Sequence, residues 1–479
     1  MSPRTRRGRG GRMVVLLVVV GCLVVAALVD RSGSDASTQA PTIVALGPRA
    51  PSLNAVETAW YCAEGTSSPD GRADERIYVA NIDRRVAHAR ISVMQGPDVP
   101  PKVIDAKVAA GTLASFRVAD ILAIAEPGVL VEVTGGRAVV THSITGNGDA
   151  AVGPCSRDAA LQWHFAAGST VRGAQLYLAL FNPFADDAIV DIDFLTDLGP
   201  LAPGDLQGFV VPAHSRVTVP VQDEARRQNL VATEVSARRG RVVAEQSQVL
   251  DGTDGRKGLA LSLGAPELST HWEFAQATIA DGRTQTMVVA NPSTVPTSAT
   301  VRTRLDGGAL EPETVNVPAQ TAVAVDLGRR VPAGVGFSVA VTGRTPVIAE
   351  SFVSVRAPIA AAERGIATAI GSNRASRWWV DVPARVNGGS RDTITVLNPG
   401  ADRVTARVTV MRAGRITVLS SAGHRQLAAG KRAVLDLGEL GVPTDAFVIV
   451  EATGRVVVDR ESAAIPGITV AAAIPDLDR

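Results

Sequence analysis

From residue 51 onward the apolar residues alternate with polar ones over stretches of five to nine residues. VTVPV (217–221) puts positions 217, 219 and 221 on one face, and AVAVDL puts Val323, Val325 and Leu327 on another. A period of two with one apolar face predicts half-buried strands that stack as two sheets over a shared core. Turn signals recur about every ten residues, the spacing of a β-sandwich. Only VADILAIA (118–125) and VQDEARRQN (221–229) suggest helical turns.

The strand pattern repeats. Tryptophan opens each copy at Trp60, Trp163, Trp272 and Trp379. An asparagine closes the following strand at 81, 182, 291 and 398, and in the last three copies a proline follows it, giving Asn182-Pro183, Asn291-Pro292 and Asn398-Pro399. Proline cannot donate to a ladder and pushes the residue before it out of helical space, and the asparagine side chain can close an Asx turn. The phrases VLVEVTGGRAVVTHS, VATEVSARRGRVVAEQS, FSVAVTGRTPVIAES and VIVEATGRVVVDRES end the copies, and each reads as a hairpin turning at Gly135, Gly240, Gly343 or Gly454. The expected fold is therefore all-β, with four tandem immunoglobulin-like sandwiches at 51–157, 158–268, 269–374 and 375–479. A β-propeller would repeat every 40 to 50 residues, and that half-period is missing.

The start of the chain is different. Arg4, Arg6, Arg7, Arg9 and Arg12 form a basic tail (1–12) ahead of an uncharged apolar run, 13–29. Seventeen residues at about 1.5 Å each span roughly 26 Å, enough for a transmembrane helix. The basic flank places the N-terminus in the cytoplasm and the bulk of the chain outside the cell membrane. A cleaved signal with its site near Val25-Ala26-Ala27, or a lipid anchor at Cys22 in Val19-Val20-Gly21-Cys22, shares this layout. Residues 30–50 are rich in Ser, Pro and small residues and read as a linker.

Charge and cysteine content narrow the function. The chain carries net +1, and without the five leading arginines the remainder carries −4 with no basic cluster, which argues against a nucleic-acid partner. Outside the cytoplasm, Cys62 and Cys155 read as a disulfide. The loop would enclose about 90 residues and add about 3–5 kcal/mol.

No catalytic motif emerges. His88, His142, His164, His214, His271 and His424 lack the spacing of a helical zinc site, and no nucleophile elbow or phosphate loop occurs. No metal, cofactor or catalytic residue is expected. Asp251-Gly-Thr-Asp254-Gly lacks the closing Glu of a calcium loop and reads as a polar turn. Asp191 and Asp193 alternate on one strand and read as solvent-facing. Glu245 and Glu350 hold one place in two copies, where His142 and Arg460 stand in the others, and read as repeated structural hydrogen-bonding groups. The tryptophans read as core plugs rather than sugar platforms, given that aromatics are only 4% of the chain. The stretch AEGTSSPDGRADER (63–76) reads as a polar insertion peculiar to the first copy.

Trp60-Tyr61-Cys62 soon after an N-terminal apolar segment, followed by strands ending at Asn182-Pro183, Asn291-Pro292 and Asn398-Pro399, resembles an uncharacterised family of actinobacterial membrane-anchored proteins, a domain of unknown function. The resemblance implies an envelope location and no known activity. The expected function is a non-catalytic extracytoplasmic scaffold, spacer or partner-binding rod, with the sandwiches stacked end to end and an envelope protein or glycan as partner. The alternatives are an array of carbohydrate-binding modules or an accessory factor in envelope glycan assembly, and then an envelope hydrolase with its site in the first copy.

Overall fold

In Ala188–Thr196 the buried positions alternate with half-buried ones until the strand end closes into the core. Ala87–Met94 and Val404–Arg412 begin the same way. The computed structural model describes residues 47–53, 55–356, 364–382, 391–419, 423–464 and 467–477, and most of these are strand. The two expected helical turns are present as Val118–Ile121 and Val221–Glu224. The basic tail, the apolar run 13–29, Cys22 and most of the linker lie outside the described residues.

Each repeat folds as two sheets. In the second, Ala174–Asn182 lies between Ser215–Pro220 and Val243–Asp251, and Lys257–Leu263 extends that sheet. The other sheet centres on Ala188–Thr196, with Gln207–Val211 on one side and Val231–Arg239 on the other, and Gln162–Phe165 beyond. The first repeat has the same two sheets, and in the third and fourth one long strand, Gly336–Val355 or Phe447–Ala464, runs through both.

That long strand corrects the expectation of a closing hairpin. The two legs do not pair with each other: in the second repeat Val231–Arg239 belongs to one sheet and Val243–Asp251 to the other. The chain crosses between layers here. Gly135 and Gly240 make the crossing at φ 76° and 73°, in the left-handed region that favours glycine, whereas Gly343 and Gly454 do not take positive φ. A glycine that reads as a hairpin turn here serves a change of sheet.

One late strand of each repeat is axial: Asp149–Pro154, Lys257–Leu263, Gly365–Ile370 and Gly467–Ala472. Each packs against the next, and the fourth packs against the first. The four repeats therefore close into a ring within the compact unit 45–479, and the end-to-end rod expected from the sequence is incorrect. The physical reason is apolar surface. Leu259 and Leu261 are buried with Ile144 and Ala151 of the preceding repeat, and Ile468 and Val470 with Val353 and Ala367. A rod would leave such faces wet at both ends. At the closure, Trp378, Val380 and Phe447 of the fourth repeat join the core of the first.

Candidate functional site

The repeat asparagines fix the strand ends. Asn81, Asn182, Asn291 and Asn398 are all fully buried. Each Nδ2 donates to the carbonyl four residues on, at 2.8, 2.8, 2.9 and 2.7 Å, and to one or two carbonyls of a neighbouring strand end. Each Oδ1 accepts from the amide two residues on, closing an Asx turn. Asn81 does the same work without a proline, so the asparagine is the brace and the proline an accessory.

The repeat tryptophans are buried plugs. Nε1 of Trp163 donates to the Val242 carbonyl, that of Trp272 to Val347 and that of Trp379 to Val456, each carbonyl lying at the change of sheet. All five tryptophans of the chain are buried, which removes them as an exposed sugar platform. The disulfide joins Cys62, at the end of the Trp60 strand, to Cys155, just past the first axial strand.

The joints between repeats hold most of the buried charge. Glu245 accepts from the amides of Ala63 and Glu64 at 2.9 and 2.5 Å. Glu350 accepts from Ala166 and Ala167 at 3.0 and 2.8 Å, and Asp459 from Ala275 and Gln276 at 2.6 and 3.1 Å. The donors are always the third and fourth residues after the repeat tryptophan. Glu245, Glu350 and Asp459 share one ladder position, opposite Ala179, Val288 and Thr395, each three residues before the repeat asparagine. In the first repeat that position, opposite Tyr78, is Thr141. Thr141 and Asp459, not His142 and Arg460, are thus the equivalents of Glu245 and Glu350. Among the described residues the fourth joint shows no carboxylate clip. It is tied by Arg137, which donates to the Pro51 carbonyl and pairs with Asp476 at 3.0 Å, and by the Ala50 amide on the Pro475 carbonyl.

His142 lies at the first joint between two carboxylates, with Nδ1 3.1 Å from Glu75 and Nε2 3.3 Å from Glu245, all fully buried. Burial opposes the charged ring, but Glu245 and then Glu75 outweigh it and push its pKa up to about 10. Burial raises Glu75 to about 7 against the pull of His142. Cys62 and Cys155 also lie within 4.8 Å of the ring, a metal-like grouping whose two sulfurs are spent on the disulfide. Arg460 forms a two-pronged bridge to Asp392, both bonds 2.7 Å.

At the ring axis Asp149 breaks the repeat. Its equivalents at the start of the other axial strands are Gly258, Gly365 and Gly467, and a side chain at any of the three would collide with its carboxylate. Asp149 accepts from the Leu259 amide of the next repeat at 2.8 Å and from Ala150 at 2.7 Å. Burial nevertheless raises its pKa to about 7. The other ends of the axial strands surround an apolar cavity of about 130 Å3, edged by Pro154, Leu263, Ile370 and Ala472.

The remaining candidates stay apart. His164 is buried and driven down to about 4 by burial, while His88, His271 and His424 are exposed. Asp191 pairs with Arg238 at 2.6 Å and Asp193 accepts from Gln207, so neither is an idle surface acid. Asp251 and Asp254 cap the turn between Val243–Asp251 and Lys257–Leu263. The stretch 63–76 is not a loose insertion: Glu64 is fully buried and binds Arg216, Arg72 and Ser247. Sequence reasoning missed Asp149, Glu75 and Asp459. The one available signal was Asp149 standing where three repeats have glycine.

These features define an all-β protein of four pseudo-repeated sheet pairs closed by buried polar joints. Residues 131–258 match a family described as "Family of unknown function (DUF5719)", a stretch that straddles the first joint and contains His142, Trp163, Asn182 and Glu245. No curated protein matches the chain. Among solved structures the chain is similar to "Crystal structure of tetra-tandem repeat in extending region of large adhesion protein", at 11% identity over 87% of this chain and 98% of that one, with a TM-score of 0.12, too low to carry the fold.

Proposed function

We propose that the protein is a non-catalytic component of a cell envelope: four immunoglobulin-like sandwiches closed into a ring, anchored by the apolar segment 13–29 and presenting a rigid surface to a protein or glycan partner. The observation that carries this reading is where the ionisable groups go. Glu64, Glu75, His142, Glu245, Glu350 and Asp459 are fully or almost fully buried, and their bonds run across the joints or within the first repeat beside one. Chemistry on a substrate needs such groups facing a space a substrate can enter. Groups spent on the joints make a stiff ring. The extracytoplasmic placement is supported by the basic-then-apolar start and by the disulfide, which persists in oxidising compartments.

The test is a topology and capture experiment. Alkaline phosphatase fused after residue 479 is expected to be active and a fluorescent protein there dark, and the exported part is expected to recover a defined envelope component from native membranes. An active cytoplasmic reporter at residue 479 would overturn the location. Hydrolysis of an envelope polymer, lost when Glu75 or His142 is changed in a folded variant, would overturn the non-catalytic reading.

A further inference from the structure

Two of the joints carry a polar plug that a third lacks. At the first joint Arg216 donates to Glu64 at 3.0 Å and to the Gly65 carbonyl at 2.7 Å. At the third, Arg432 donates to the Gln276 Oε1 at 3.1 Å and to the Ala275 carbonyl at 3.2 Å. The two arginines occupy one ladder position, opposite Phe181 and Leu397, the residues just before the repeat asparagines. In the third repeat that position, opposite Ala290, is Ala322. Glu64 and Gln276 are each the fourth residue after the repeat tryptophan, and in the second repeat that residue is Ala167. The second joint therefore has a methyl group from each side where its neighbours have a guanidinium and its acceptor.

A cleft of about 740 Å3 opens at this joint, lined by both alanines. Pockets that hold small organic ligands run from about 300 to 1,000 Å3. Its bed is apolar, with Leu230, Val288 and the half-buried ring of Phe352. Its rim carries Asp197, Asn229 and Asn316, all exposed, with the hydroxyls of Thr286 and Thr321 between. The lining charges are Asp197 and Arg256, and Arg256 is already paired with Asp254. Amides and hydroxyls both donate and accept, and a single carboxylate accepts only. An anion would meet no unpaired cation here, and a wholly apolar ligand would strip water from the rim without replacing its hydrogen bonds. A polyhydroxylated ring satisfies both halves: its hydroxyls meet the rim and its C–H face lies on Phe352 and the aliphatic bed.

We propose that the cleft between the second and third repeats is a binding site for a short neutral oligosaccharide. The source of that sugar in an envelope rests on the function proposed above, but the binding does not, and the phosphatase fusions report location independently of any sugar.

The experiment uses the full chain in a non-glycosidic detergent, probed on an array of neutral di- to hexasaccharides and on a matched set of unmodified peptides. The wild type is expected to bind oligosaccharides and no peptide. The double variant A167E/A322R, which rebuilds the plug of the first joint, is expected to keep a wild-type melting temperature or better and to bind at least tenfold more weakly. Arg216→Ala, at the plugged joint, is expected to leave binding unchanged. If the double variant does not fold, Asn229→Ala and Asn316→Ala decide the matter: both residues are exposed, and a tenfold loss in either supports the site while unchanged binding in both overturns it. Absence of oligosaccharide binding, capture of peptides instead, or full binding by folded A167E/A322R also overturns it.

Discussion

The Glu350 carboxylate in the third repeat accepts a 2.8 Å hydrogen bond from the backbone amide of Ala167 in the second, and a second bond from Ala166. The two residues are 183 positions apart, so this bond closes a joint and not a turn. Glu350→Ala would strand two buried N–H groups at about 1–3 kcal/mol each. Urea unfolding is expected to show a loss of roughly 2–5 kcal/mol, Glu350→Gln a smaller one, and Thr141→Ala, where a threonine stands at the ladder position of the clip, less than about 1 kcal/mol.

The buried acids give an unusual pH dependence. Burial raises Asp149 and Asp459 to about 7, whereas in the unfolded chain such groups titrate near 4. Between about pH 4 and 7 the folded form holds protons that the unfolded form has released, so stability falls as pH rises through that window. His142, raised to about 10, contributes stability that is complete below about 6.5 and lost on the way to 10, in the same direction. Lowered carboxylates act in the opposite sense at more acidic pH: burial works against charged Glu273, but His271 and Arg304 outweigh it, and the stability it contributes is lost as pH falls below about 4.5. Scanning calorimetry is expected to give a higher melting temperature at pH 5 than at pH 8, and Asp149→Asn is expected to flatten the difference.

The asparagine brace separates from its proline. Asn291 Nδ2 donates to the carbonyls of Val295, Val317 and Pro318. Asn291→Ala leaves the buried Val317 carbonyl and two part-buried ones short of a donor and is expected to cost about 2–4 kcal/mol. Pro292→Ala, beside it, is expected to cost less than about 1 kcal/mol, since Asn81 holds the same bonds with Ile82 following. Chemical denaturation of the two variants in parallel measures both.

Breaking the Cys62–Cys155 bond frees a loop spanning 93 positions. The Cys62→Ser/Cys155→Ser variant is expected to lose about 3–5 kcal/mol. The cost is concentrated in the first repeat, where hydrogen exchange in the strand Glu57–Cys62 reads it.

Much of the strand content was legible because alternation and the Trp and Asn-Pro landmarks are local. VTVPV and AVAVDL show their apolar faces in the sequence alone. The ring was not legible, because its joints use backbone amides, such as those of Ala166 and Ala275, that no side-chain pattern marks. The joint residues also differ from copy to copy, as Glu64, Ala167 and Gln276 do at one position, so the repeat comparison that revealed the sandwiches hid what lies between them. Gly343 misled because a turn-forming dipeptide looks the same whether the chain folds back on its neighbour or passes to the opposite layer. His142 and Arg460 lie one residue past the true equivalents of Glu245 and Glu350, and only the ladder register, Tyr78 opposite Thr141 and Thr395 opposite Asp459, separates each from its neighbour.

Small-angle X-ray scattering on residues 45–479 tests the closed ring most directly. A compact chain of this length has a radius of gyration of about 22 Å, while four sandwiches of roughly 105 residues in a row would give about 40 Å. The ring of axial strands predicts the smaller value, with a single-peaked distance distribution. A radius near 40 Å, with a long tail of distances, would contradict it.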